Sequence, residues 1–239
     1  MKSIALVSGA SGLIGVQLLH QLFRAKEYDY VVTVARRELA FKHPKLVQVQ
    51  VDFAKIDQIS LLDKLRENDF GGDNHQLVMA LEAKEVKIHA FCALGTTIKK
   101  AKSKENFYRI DHDYVINFAR WAHSWGATKF LYVSSLGADQ LSSIFYNKVK
   151  GETEEDLKVI PFKYLGIFRP SILLGHRKET RIGESIGKAV MKAVTSVGLF
   201  KKYKPIYDHQ VAKTMVHQAL NDELEIVKII ESKQMQIFE

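Results

Sequence analysis

The chain has 239 residues, 46% of them apolar, and a net charge of +8; it can bury one sizeable core and has the scale of a single large α/β domain. Its one cysteine, Cys92, excludes an internal disulfide and suits a reducing compartment. No apolar run reaches the roughly 18 residues of a membrane span. Met1-Lys2-Ser3 leads straight into a strand pattern without the apolar stretch of a secretory signal, so a cytoplasmic setting is expected, with no membrane partner.

In chain order, Ile4 to Val7 reads as a buried strand, followed by a helix with Ile14, Leu18 and Leu22 on one face. Tyr30 to Val34 and Leu46 to Val51 read as strands two and three. Ile56 to Leu65 is predicted helical, Glu67 to Asn74 a polar loop, and Leu77 to Val86 a short extra helix. Strand four is Ile88 to Leu94. A long helix, Glu105 to Trp125, ends at Gly126, and strand five is Lys129 to Val133. A helix from Ile144 to Val159 stops before Pro161, and Tyr164 to Phe168 is strand six. Beyond Leu174 the pattern is mostly helical. Strands alternating with helices predict a doubly wound Rossmann fold with a parallel sheet: one domain, with a cofactor core over 1–175 and a small helical substrate-side segment over 176–239. Ligands of such sheets bind at the carboxyl ends of the strands.

Between strand one and helix one stands Gly9-Ala10-Ser11-Gly12-Leu13-Ile14-Gly15. Three glycines at this spacing allow a tight turn, approach of backbone to a pyrophosphate, and close helix–strand packing, while the helix start favours negative charge. A dinucleotide is expected there. An NAD site places an acid at the end of strand two, but this strand ends Val34-Ala35-Arg36-Arg37. Guanidinium groups bind a 2′-phosphate through charge-assisted bonds, so NADP(H) is favoured; Glu38 keeps NAD(H) open. Asp52 and Phe53, ending strand three, are placed beside the adenine. Ala93, Leu94, Gly95 and Thr96, ending strand four, are placed along the cofactor.

Tyr146-x-x-x-Lys150 puts two side chains on one face of the helix after strand five. With nine tyrosines and abundant lysine one such spacing is expected by chance, so its position carries the weight: it follows Ser134-Ser135 and a phosphate loop. A neighbouring ammonium favours the phenolate, and such a tyrosine exchanges a proton with a hydroxyl or carbonyl while hydride moves to or from nicotinamide. Lysine can also hold the nicotinamide ribose, and a serine orients the substrate oxygen.

Taken together, Gly9-x-x-Gly12-x-x-Gly15, Leu131-Tyr132-Val133-Ser134-Ser135, Tyr146-x-x-x-Lys150 and Phe168-Arg169-Pro170-Ser171 resemble the short-chain dehydrogenases/reductases of the atypical or extended type. More narrowly, Cys92 to Thr97, Asp111-His112-Asp113-Tyr114-Val115, Ser134 to Asp139, Lys150-Gly151-Glu152 and Arg177 to Glu184 are similar to the Tat-interacting-protein-like oxidoreductases. The resemblance implies Tyr146 as acid/base, Lys150 as its partner and Ser135 as third member, with Ser134 as alternate and cofactor contact. It also implies that Pro170, Ser171 and Ile172 lie against the nicotinamide. Two departures are a longer stretch from Gly71 to Lys87 and a serine-to-tyrosine separation shorter than in sugar-nucleotide epimerases.

The leading function is an NADP(H)-dependent oxidoreductase acting on a carbonyl or alcohol of a small molecule. The rivals are an NADP(H)-sensing protein-binding module and an epimerase. Nine histidines without ligand spacing predict no metal, and scattered lysines without interleaved aromatics predict no nucleic-acid partner. Arg169 pairs with either a substrate or a structural acid. Arg177, Arg181, Lys201 and Lys202 are either substrate-side or solvated. Helices 105–125 and 144–159 are candidates to pair in a homodimer.

Overall fold

The computed structural model describes residues 1–67, 74–175, 204–222 and 225–238. The strands among them are β1 (Lys2–Ser8), β2 (Tyr30–Ala35), β3 (Leu46–Gln50), β4 (Val86–Cys92), β5 (Ala127–Val133), β6 (Tyr164–Arg169), β7 (Leu173–Leu174), β8 (Ile206–Tyr207) and β9 (Val227–Glu231). The helices are α1 (Leu13–Arg24), α2 (Leu61–Glu67), α3 (His75–Glu82), α4 (Ile98–Ala101), α5 (Lys104–Tyr108), α6 (Tyr114–Ser124), α7 (Phe145–Lys158), α8 (Asp208–Leu220) and α9 (Ser232–Met235). Seven strands form one parallel sheet in the order β3-β2-β1-β4-β5-β6-β9, and β7 pairs with β8 apart from it.

The apolar strand runs follow from burial on both faces. Along β1, Ile4 and Leu6 enter a core with Val32, Ile88 and the α6 residues Val115, Phe118 and Ala122. Ala5 and Val7 point the other way, into a core with Phe91, Leu131, the α1 residues Leu18 and Leu22, and Val211 and Met215 of α8. The sheet order reverses between β1 and β4. Their carboxyl ends therefore form the crevice in which doubly wound sheets bind ligands.

Three elements depart from the sequence pattern. Residues 56–65 are not one helix: a short 3-10 turn (Ile56–Gln58) stops, and α2 restarts because the Ser60 hydroxyl accepts the Asp63 N–H at 3.2 Å. The long helix is divided into α5, a π turn at Arg109–Asp113, and α6. The C-terminal region is not only helical, since β9 pairs with Leu165–Arg169 and completes the sheet; five residues are too few for periodicity to tell strand from helix. Arg177, Arg181, Lys201 and Lys202 lie outside the described residues.

His89, inside β4, is 2% exposed, with Nδ1 2.7 Å from the Tyr28 hydroxyl and Nε2 without a partner. Burial, then the Lys129 and Lys87 charges, push its pKa down to about 3, against a smaller upward pull from Asp222. The unfolded chain therefore takes the proton first as pH falls. The His89 contribution to stability is present above pH 6.5 and is lost as pH falls toward 3. His89→Gln is expected to flatten this loss by on the order of 3 kcal/mol, read from urea unfolding across that window.

Candidate active site

The glycine loop leaves β1 at Gly9, whose φ is +75°. An added Cβ there would lie 2.3 Å from the Ala93 carbonyl carbon, so only glycine lets the ends of β1 and β4 meet. A Cβ at Gly15 would lie 2.1 Å from the Gly9 carbonyl oxygen. Gly12 donates its N–H to that oxygen at 2.9 Å and sits in extended backbone at the start of α1, with no side chain capping the helix and no acid in its first turn. The opening N–H groups, from Leu13 to Gly15, have no partner within the helix. Ser11 is exposed and Ile14 buried. This is a cradle of backbone donors that suits a pyrophosphate.

Arg36, Arg37 and Glu38 are exposed just past β2. Asp52 is exposed and accepts the Ala54 N–H at 2.9 Å, shaping the turn after β3. Phe53 is a core residue, its ring 5.7 Å from that of Tyr114 and its carbonyl taken by Asn117, so its side chain is not available to an adenine.

The loop after β4 joins the glycine loop to α7, which carries Tyr146 and Lys150. Ala93 touches Gly9 at one end. At the other, a Cβ on Gly95 would lie 3.8 Å from Lys150 Nζ, and the Thr96 N–H donates to Asp111 Oδ2 at 2.8 Å. Lys150 is 3% exposed; its Nζ is 2.9 Å from Asp111 Oδ1 and donates to the Tyr132 hydroxyl at 3.1 Å. Burial opposes its charge, but Asp111, Tyr132 and Tyr146 together hold the Lys150 pKa well above the ordinary value. Burial, partly offset by the Lys150 charge, pushes the Tyr132 hydroxyl far up, so it stays a neutral partner. Tyr146 is half-buried on the same helix, one turn earlier, its ring 5.6 Å from Phe107.

The two serines after β5 part company. Ser134 donates its hydroxyl to Glu154, which also receives Arg169 Nε at 3.0 Å and Nη2 at 2.5 Å. Ser135 is 9% exposed, and its hydroxyl has no partner. Arg169 is thereby assigned to structural acids, Glu154 and the more distant Glu231 at 3.5 Å. After β6, Pro170 is buried and its carbonyl takes the Leu136 N–H at 2.9 Å. Ser171 donates to the Lys204 carbonyl at 2.5 Å and meets Ser232 Oγ at 2.9 Å, while the Ile172 carbonyl accepts the Ile206 N–H. Ser171 therefore spends its side chain tying the segment to the residue stretch before β8 and to α9. Asp111, Tyr132, Glu154 and Gly151 were not singled out by sequence reasoning as site residues. Gly151, quoted above only for the resemblance, has its physical reason in three dimensions, since a Cβ there would lie 2.1 Å from the Gln140 nitrogen.

A family model described as the NAD dependent epimerase/dehydratase family matches residues 5–234. The chain belongs to this family. Among its relatives, Protein HTATIP2 of Rattus norvegicus is 34% identical over 190 residues, 78% of this chain and 69% of that protein. Protein FMP52, mitochondrial, of Saccharomyces cerevisiae is 33% identical over 223 residues, 90% of this chain and 87% of the relative. A structure described as MoeE5 in complex with UDP-glucose and NAD aligns with a TM-score of 0.61 at 16% identity, covering 95% of this chain and 75% of that one. UDP-glucose 4-epimerase of Thermotoga maritima aligns at 0.62 and 13% identity, covering 98% and 80%. These structural likenesses establish the shared fold. The cytoplasmic setting expected from composition is corrected by the relatives, several of which, from different yeasts, are designated mitochondrial. A lone cysteine excludes an internal disulfide and does not tell one reducing compartment from another.

Gly15→Ala is expected to cost roughly 1–3 kcal/mol of stability in urea unfolding, because the Cβ meets backbone that cannot yield. The same substitution should weaken dinucleotide binding about tenfold or more by calorimetric titration.

Proposed function

We propose that the chain is an NADP(H)-dependent oxidoreductase that moves hydride between the nicotinamide and a carbonyl or alcohol of a small molecule, with Tyr146 as acid/base. The observation that carries the reading is the continuous path from Gly9 to Ala93, through Gly95 and Thr96, to Lys150 and Asp111. A dinucleotide seated on the α1 cradle would run along that path toward Tyr146.

The nicotinamide, when bound, supplies or accepts the hydride. In the reducing direction Tyr146 gives its phenolic proton to the carbonyl oxygen, and Ser135, whose hydroxyl is buried and unspent, donates a hydrogen bond to that oxygen. Lys150 has donor capacity beyond Asp111 and Tyr132, because an ammonium carries three donors; it suits the ribose hydroxyls. Gly9, Ser11, Gly12, Leu13, Ile14 and Gly15 would hold the pyrophosphate. Arg36 and Arg37 would receive a 2′-phosphate; among the described residues neither forms an ion pair, and no acid ends β2. Pro170 and Ile172 would flank the nicotinamide.

A sensor that binds without turnover needs no unpaired buried hydroxyl at Ser135, which supports the enzyme over the binding module. Epimerase chemistry uses the same groups but keeps the cofactor; stoichiometric release of oxidised or reduced cofactor during turnover separates the two.

Tyr146→Phe is expected to lower kcat by about 10²–10⁴-fold while leaving cofactor affinity within about twofold. Unchanged turnover on a carbonyl panel defeats the mechanism. Replacing Arg36 and Arg37 by alanine should weaken NADPH binding about 10–100-fold and leave NADH binding nearly unchanged. Equal or tighter binding of NADH by the parent protein would overturn the cofactor assignment.

A further inference from the structure

Asp111 carries a carboxyl group into a place where 1% of the residue is exposed. An isolated carboxylate there would be costly, and so would an isolated Lys150 ammonium. The two stand 2.9 Å apart as an ion pair. The second Asp111 oxygen accepts the Thr96 N–H, which fixes the carboxylate relative to the loop after β4. Its backbone is held as well. Asp111 lies in the π turn that divides α5 from α6, and the Thr153 hydroxyl, one turn past Lys150 on α7, bonds both the Asp111 carbonyl at 3.1 Å and the Val149 carbonyl at 2.7 Å. The widened turn and the α7 threonine thus lock the carboxylate opposite the lysine.

We propose that Asp111 is a positioning residue that neutralises Lys150, so that the lysine serves the site as a fixed hydrogen-bond donor and not as an uncompensated positive charge beside Tyr146. The inference rests on the reading of Tyr146 and Lys150 given above, but it alters the part the lysine plays. A bare ammonium one helical turn from a tyrosine stabilises the phenolate; an ammonium paired with a buried carboxylate presents a dipole whose field on the phenol is much smaller. The charged and titratable groups facing Lys150 are Cys92 on β4, Asp111 on the π turn, Tyr132 on β5 and Tyr146 on α7. Burial lifts the Cys92 thiol to about 11 and the Tyr132 hydroxyl further still. Among these groups Asp111 is the carboxyl that meets the ammonium, 2.9 Å from Nζ.

The test is ultraviolet titration of tyrosinate in the full chain, with Tyr146 isolated as the difference from Tyr146→Phe in each background. It needs no substrate, so its outcome is independent of whether Tyr146→Phe abolishes turnover. Asp111→Asn keeps an acceptor for Thr96 and removes the negative charge; the Tyr146 midpoint should fall by about one pH unit. Lys150→Met should raise it by a comparable amount. The double variant Asp111→Asn/Lys150→Met should return to within about half a unit of the parent. The double variant leaves no unpaired buried charge, so it remains a test even where Asp111→Asn alone does not fold. A merely structural Asp111 leaves the midpoint unmoved in Asp111→Asn and lets the double variant follow Lys150→Met; either result overturns the proposal.

Discussion

The contact between Gly9 and Ala93 is the constraint on which the rest of this molecule depends. β1 and β4 are neighbours in the sheet but not in sequence, and the chain winds away from them in opposite directions. At their carboxyl ends the backbone of one must pass within van der Waals distance of the other, and a single methyl group at Gly9 would close that approach. Once the two ends meet, the opening of α1 and the loop after β4 line the same crevice. The loop then carries the geometry onward, because Gly95 and Thr96 abut the Asp111–Lys150 pair. The glycine loop and the helix that carries Tyr146 and Lys150, far apart in sequence, thereby stand at two ends of one connected path.

The second organising feature is how buried charge is balanced along α7. Lys150 and Glu154 are both nearly inaccessible and one helical turn apart. Each has a partner from elsewhere in the fold: Asp111 from the π turn, and Arg169 from the end of β6. In a low-dielectric interior, loss of either partner strands a charge, whereas the intact pairs tie α7 to the π turn and to the end of β6. This has a local consequence for chemistry. Glu154 takes up the Ser134 hydroxyl, leaving Ser135 as the serine with a hydroxyl to offer. The choice between two adjacent serines is thus made by a carboxylate twenty residues away.

Much of the fold was legible in advance because strands buried on both faces must be apolar throughout, and the glycine loop has few other uses between a strand and a helix. The Tyr146–Lys150 pair was legible because helical periodicity alone puts them on one face. What was not legible depended on partners. Arg169 next to Pro170 is compatible with a substrate acid until Glu154 is seen beside it. The helix read through 105–125 is apolar at helical spacing on both sides of the π turn, so periodicity passes over the turn that aims Asp111 inward. The strand β9 was missed because five residues do not establish a period, and its place is decided by the open edge of β6.

The sequence by itself determined the class of fold, the glycine loop between β1 and α1 and the helix that carries tyrosine and lysine, since each is set by local patterning over at most a few turns of chain. The tertiary structure alone decided which serine is free, which acid meets Arg169, and that Lys150 enters the site already paired with Asp111. Those are properties of contacts between residues distant in the chain. They follow from the requirement that a buried charge or hydrogen-bonding group find its complement in space, and no local pattern encodes where that complement lies.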